Sequence, residues 1–93
     1  MAHKLQNYLL VMDIRIDIET KGPDDVVHVS GRLVVSSIKQ LAGVCEPLEG
    51  NFVLDLSELV FADAAGIDVI RSLREKGADI SGMSSFIKLL IDG

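Results

Sequence analysis

The sequence predicts a small α/β domain in which about four strands form a mixed sheet and three helices lie mainly on one face. Three observations lead to this prediction. The chain has 93 residues, enough for one domain. Isoleucines alternate with polar residues near its start, and runs with helical spacing alternate with short strand-like runs after residue 35. The predicted order is ββαβαβα, with parallel pairing in the second half.

The first two strands are predicted to form a hairpin. Residues 13–19 alternate strictly between polar and apolar side chains, which places three residues on the buried face of a strand: Ile14, Ile16 and Ile18. A turn cluster at residues 21–25 separates this run from a second β-rich run at residues 26–30. We expect this unit to end at Gly31.

A helix and a buried strand follow. Ser36 or Ser37 is expected to cap the helix, whose apolar residues recur at spacings of three and four: Ile38, Leu41, Cys45 and Leu48. Pro47 indicates that the helix stops near Glu46. Residues 52–56 are a short apolar run typical of a buried strand, and residues 57 and 58 are expected to begin a loop.

The last third of the chain contains two helices around a short strand. Residues 64–76 are predicted to be a helix with an inward face of Ile67, Ile70 and Leu73 and with Gly77 just beyond its end. Residues 78–81 are predicted to be a fourth strand. Ser84 or Ser85 is expected to cap a final helix whose apolar face is Phe86, Ile87, Leu90 and Ile91.

Composition excludes several classes of function. The net charge is −5 and the basic residues are scattered, so we expect no nucleic-acid partner. The apolar runs are far shorter than the roughly 20 residues that a bilayer span needs, and the N-terminus is a poor secretory signal. We therefore expect no membrane insertion and a cytoplasmic location. The single cysteine, Cys45, cannot form an internal disulfide and is expected to be buried.

The N-terminal residues are treated as an addition to the domain. Residues 1–11 add no clear element of their own, and Met12 stands immediately before the first predicted strand. We interpret residues 1–11 as an N-terminal extension and residues 12–93 as a single domain. Translation starting at Met12 is a hypothesis that intact mass of the native protein would test.

Groups that could catalyse a reaction do not converge in the sequence. His3 lies in the extension, and His28 falls in the middle of a strand, where we expect it to be exposed or satisfied by neighbours. Asp24 and Asp25 belong to a turn, where Asp is favoured for backbone bonding. The sequence therefore predicts a protein that is not an enzyme, with no catalytic residues, no cofactor and no metal site.

The loop before the second long helix is the most informative segment. Asp63 is well placed as an N-cap, with its carboxylate accepting from the backbone N–H of Ala65 or Gly66. Gly66 allows the backbone to approach a neighbour closely. The free N–H groups of a helix start attract negative charge, so a phosphate or a partner's carboxylate is an alternative occupant.

The same segment resembles the signature of the STAS family, the anti-sigma-factor antagonist domains. In that family a strand ending in Asp-Leu-Ser, as at residues 55–57, leads to Asp-Ser-Ser-Gly at a helix start, where this chain has Asp63, Ala64, Ala65 and Gly66. Residues 30–33, which include Gly31, look like the family's glycine-containing segment after the second strand. Residues 82–86 look like the family's last turn, which leads into a helix. The resemblance covers roughly residues 12 to 93 and implies a STAS-like fold.

The resemblance also implies a function and one departure from it. Family members that act as phosphorylation switches are modified on the second serine of the motif, and the matching residue here is Ala65, so no phosphorylation is expected there. We expect a non-catalytic domain that binds an anti-sigma factor or a kinase-like regulator through Asp63, Ala64, Ala65, Gly66, Ser36 and Ser37.

Two further expectations follow from the resemblance. The alternative function is a STAS-like accessory subunit of a membrane transporter for lipids or anions, with a small anionic ligand at the helix start. The chain ends after the third helix, where many family members add another strand and helix, so a homodimer that covers the sheet edge is also compatible with it.

Overall fold

Five strands form one mixed sheet in which neighbours in sequence are neighbours in space. The computed structural model describes residues 5–10, 14–21, 24–48 and 51–92. Across the sheet, the strands in these ranges are β1 (Leu5–Leu10), β2 (Ile14–Lys21), β3 (Asp24–Leu33), β4 (Phe52–Ala62) and β5 (Asp79–Ser81). The first three pair antiparallel, whereas β3 with β4 and β4 with β5 are parallel. The predicted hairpin and the parallel second half are confirmed.

Three helices cover one face of this sheet: α1 (Ile38–Cys45), α2 (Ala64–Glu75) and α3 (Ser85–Asp92). They share a core with alternate residues of the strands because successive strand side chains point to opposite faces. Its fully buried members include Val27, Leu54 and Leu56 from the sheet and Leu41, Ile70 and Ile87 from the helices. The predicted architecture of a mixed sheet with helices mainly on one face is confirmed.

The expectation that residues 1–11 contain no element was wrong for Leu5–Leu10. This segment is β1, which pairs antiparallel with β2 from Leu5 opposite Glu19 to Leu10 opposite Arg15. The sheet therefore has five strands where about four were predicted. Residues 1–4 and 11–13 lie outside the described residues, and the hypothesis that translation begins at Met12 stays a prediction.

The strands β3 and β4 both continue beyond their predicted ends. Gly31 does not end its unit, because β3 runs to Leu33 with Gly31 at a positive φ of 94°. Ser57 and Glu58 lie within β4 instead of beginning a loop. Irregularities in the β3–β4 register near these residues break the two-residue alternation, so both are exposed while Leu59 beyond them is buried again.

The helix ends show which capping predictions hold. Ser84 caps α3 as expected, because its hydroxyl oxygen accepts from the N–H of Ile87 at 3.1 Å.

Cys45 is buried as predicted and is the last residue of α1, just before a 3₁₀ turn that contains Pro47. The prediction for Phe86 was wrong, because this ring is 52% exposed on α3 and not part of its buried face.

Ser36 and Ser37 do not cap α1. A 3₁₀ turn at Val35–Ser37 precedes the helix, and neither serine hydroxyl bonds to a free N–H of its first turn. The hydroxyl of Ser37 is used by Val34 instead: its oxygen accepts from the Val34 N–H at 3.0 Å and it donates to the Val34 carbonyl at 2.9 Å. The hydroxyl of Ser37 therefore bonds the backbone of Val34 and is not used to cap the helix.

Candidate functional site

Asp63 stands between the end of β4 and the start of α2 and caps that helix. Its backbone is extended, and its Oδ1 accepts from the backbone N–H of Gly66 at 2.8 Å. An N-cap bond of this kind typically contributes about 1 kcal/mol, because it satisfies one of the four N–H groups that a helix start leaves unpaired. The predicted capping role of Asp63 is confirmed.

The second carboxylate oxygen of Asp63 reaches a different loop. Its Oδ2 accepts from the backbone N–H of Val35 at 3.0 Å, and the N–H of Asp63 itself donates to the Leu33 carbonyl at 3.1 Å. These bonds hold the segment after β3 against the segment after β4. We call residues 34–37 together with residues 63–66 the Asp63 corner.

Gly66 lies where α2 packs closely against the end of β3. A Cβ atom built on Gly66 would overlap the carbonyl oxygen of Leu33 and would come within 3.1 Å of the Leu33 side chain. Only glycine fits between the helix and this carbonyl without displacement. The close approach predicted for Gly66 is therefore present, and its neighbour is the end of β3.

The site residues predicted from the sequence are together in space, but they differ in exposure. Ala64 and Ser36 are exposed, and Asp63 and Ala65 are half-buried. Gly66 is buried, and the Ser37 side chain is 2% exposed and bonded to Val34. The structure thus brings Ser37 to the corner as an internal support of the turn and not as a side chain that a partner could touch.

Val35 is a surface residue of the corner that sequence reasoning missed. Its side chain is 70% exposed, although it is a β-branched hydrophobe next to the bond that Asp63 makes. A sequence pattern could not separate it from its neighbour Val34, which is half-buried. What distinguishes Val35 in the structure is that its backbone N–H donates to Asp63, a bond that the sequence pattern does not show.

A groove beside the corner separates α2 from α3. The residues that line it include Ala64, Ile67, Asp68 and Arg71 from α2 and Leu90 from α3. Arg71 donates from Nε to the Ile91 carbonyl at 2.9 Å and from an amino group to the Leu90 carbonyl at 3.2 Å. The guanidinium therefore holds the end of α3 against α2 and keeps this side of the groove in place.

The exposed side chains of the Asp63 corner are uncharged. Val35, Ser36 and Ala64 carry no charge, and both oxygens of the Asp63 carboxylate already accept backbone N–H groups. In the described ranges no group of three or more His, Cys, Asp or Glu residues is arranged to hold a metal ion. Burial raises the pKa of the Cys45 thiol to about 12, so this thiol is not a nucleophile at neutral pH.

None of the helices in the described ranges is long and apolar enough to cross a membrane.

Of three comparisons with known proteins, only the one with solved structures gives a match. No protein-family model matches this sequence, and no curated protein matches it either. Among solved structures, the crystal structure of an anti-sigma-factor antagonist STAS domain from Rhodobacter sphaeroides is similar, with a TM-score of 0.64 and 17% sequence identity. The likeness covers 76% of this chain and 88% of that one. The chain therefore has the fold of an anti-sigma-factor antagonist STAS domain.

Proposed function

We propose that this protein is a non-catalytic regulatory domain that binds another protein through the Asp63 corner. The observation that carries the proposal is the double use of the Asp63 carboxylate, which joins the loop at Val35 to the helix start at Gly66 by bonds of 3.0 and 2.8 Å. A surface that is already ordered before binding loses less conformational entropy on association. The corner is thus suited to docking.

The partner that we propose is an anti-sigma factor or a kinase-like regulator. This choice rests on the fold, which is similar to that of a protein described as an anti-sigma-factor antagonist. The exposed side chains of Val35 and Ala64 would contact an apolar surface of the partner. Because Ala65 has no hydroxyl, docking at this corner would not be switched by phosphorylation at that residue.

The transporter alternative has less support from the site. It includes a small anionic ligand at the start of α2, where free N–H groups would attract it. The Asp63 carboxylate already accepts the Gly66 N–H, and its own negative charge would repel a second anion. We therefore favour the protein-binding function.

Affinity purification from the native host tests the proposed function. We expect tagged wild-type protein to recover one regulator in a molar amount comparable to its own. The intact mass of the recovered protein should show no added phosphate. Ala64→Glu should lose the regulator, because it places a charge on the proposed contact while a glutamate in the first turn suits the helix. Ala42→Glu is the matched control, since Ala42 is also exposed but lies on α1.

Two results would contradict the proposal. One is the recovery of no protein in comparable amount by the wild type. The other is equal recovery of the regulator by Ala64→Glu and by the wild type, which would place the interface elsewhere.

A further inference from the structure

The face of the sheet opposite the three helices carries a connected set of polar side chains. Because strand side chains alternate, the residues between core positions project to this face. His28 lies on β3, paired in register with Asp17 of β2 on one side and with Asp55 of β4 on the other. Glu19, two residues after Asp17, projects to the same face. The imidazole thus sits among carboxylates from both neighbouring strands.

Both nitrogens of the His28 ring contact a carboxylate. Nδ1 lies 2.7 Å from Oδ2 of Asp55, and Nε2 lies 2.9 Å from Oε1 of Glu19. A neutral imidazole has one N–H donor, and an ionised carboxylate can only accept. Both contacts are therefore hydrogen bonds only when the ring carries two protons, as an imidazolium.

We propose that His28 is a proton-controlled clasp between β2 and β4. As an imidazolium it bonds Glu19 and Asp55 at the same time and so ties the two strands together across β3. When the ring loses a proton to solvent, it can donate to only one of these carboxylates, and its hydrogen bond to the other is lost.

The surroundings of Asp55 decide which bond is kept. Oδ1 of Asp55 accepts from the Ser57 N–H at 3.0 Å, and the turn at Gly82 lies so close that a Cβ there would approach Oδ1 to 2.6 Å. Asp55 is thus held by a further hydrogen bond and has little free space on the Gly82 side. The neutral ring keeps its proton on Nδ1 toward Asp55, and Glu19 then faces the lone pair of Nε2 and is repelled.

The other charged groups around the ring leave this assignment unchanged. On β2, Asp17 is held by Arg15, whose Nε lies 3.1 Å from Oδ2 of Asp17. Glu58 on β4 and Asp79 on β5 are exposed residues further along the sheet. The charges that act on the ring are those of Glu19 and Asp55, and both favour the imidazolium.

The shifts of the two titrating groups agree with the geometry. Partial burial lowers the pKa of His28, but the hydrogen bonds and charges of Glu19 and Asp55 outweigh it, so that this pKa is raised above its ordinary value of 6.5. Burial raises the pKa of Asp55, but the bonds from Ser57 and His28 outweigh it, and this pKa falls below its ordinary value of 3.8. Both shifts favour the ion pair between the His28 imidazolium and the Asp55 carboxylate.

An NMR titration of the histidine ring tests the clasp. We expect the His28 midpoint in the wild type to lie above 6.5 and, at high pH, the ring to carry its proton on Nδ1. Glu19→Gln should lower the midpoint because it removes one negative partner. Glu75→Gln, a change at an exposed residue of α2, should leave it where it is.

Two measurements on the wild-type protein are sufficient to test the proposal. A His28 midpoint at or below 6.5 would overturn it, and so would a neutral ring protonated on Nε2. A midpoint that does not move in folded Glu19→Gln would show that the second carboxylate is not part of the clasp.

Discussion

At the scale of single residues, Asp63 connects the local conformation of the chain to the proposed function. One carboxylate oxygen bonds the first turn of α2 and the other bonds the loop after β3. Both bonds are charge-assisted, and such bonds are stronger than those between neutral groups. The same side chain therefore shapes the helix start and positions the exposed Val35.

Removing the Asp63 carboxylate should destabilise the fold. We expect Asp63→Ala to lower the free energy of unfolding by about 1 to 2 kcal/mol, because the N-cap bond is lost together with the bond to Val35. Denaturant unfolding would measure the change.

The matched control is Asp68→Ala on the same helix. Asp68 has a side chain that is 77% exposed and lies 3.9 Å from Arg71, an ion pair that should contribute little. Equal stability of Asp63→Ala and the wild type would contradict the assignment of both bonds.

At the scale of elements, α2 packs closely on the sheet where Gly66 meets the Leu33 carbonyl of β3. The contact fixes the position of the helix start over the sheet and therefore the shape of the corner. Gly43 of α1 provides a contrast, because a Cβ there would meet nothing within 4 Å.

Glycine-to-alanine substitutions at these two positions should have opposite effects. Gly66→Ala should lower the free energy of unfolding by about 1 to 3 kcal/mol, because the added methyl group overlaps a backbone carbonyl that cannot move freely. Gly43→Ala should raise it by up to about 1 kcal/mol, because alanine favours a helix and the site is open. Thermal or denaturant unfolding of both variants measures this, and a neutral Gly66→Ala would refute the close packing.

The elements also show what the sequence could predict. Helix α2 and the buried residues of β2 follow a regular period, so their positions were predicted closely. The far half of β4 was missed because an irregularity near Ser57 breaks the two-residue period, and β1 was missed because no pattern marked it. At the corner, capping chemistry predicted Asp63 and close approach predicted Gly66, whereas Val35 depends on a bond between residues 28 positions apart.

At the scale of the whole molecule, the helix-bearing face of the sheet contains the apolar core and the other face contains the charged clasp around His28. The clasp joins the β2–β3 hairpin to β4, which lies 27 residues further along the chain at Asp55, so its strength should appear in the stability of the entire fold. A homodimer that covers the sheet edge stays a prediction.

The contribution of His28 to stability should depend on pH in a defined direction. Because the pKa of His28 is raised on folding, the stability that it contributes is fully present below about 6.5 and is lost as the pH rises through its higher value in the folded protein. Because the pKa of Asp55 is lowered, its contribution is present above about 3.8 and is lost as the pH falls through its lower folded value. The clasp is complete between these limits.

The difference in unfolding free energy between the wild type and His28→Gln isolates this contribution. We expect the difference to be largest between about pH 4 and 6.5 and to decrease toward pH 9. A difference that is constant with pH, or that grows as the pH rises, would show that the imidazolium is not the stabilising form.

The docking claim is tested most directly by the affinity of the partner regulator for two matched valine variants. Val35 and Val60 are 70% and 69% exposed, but only Val35 belongs to the Asp63 corner. Measured by calorimetry with the regulator recovered from the host, Val35→Asp should weaken binding at least about tenfold, and Val60→Asp should bind as the wild type does. Wild-type affinity in folded Val35→Asp would contradict the account.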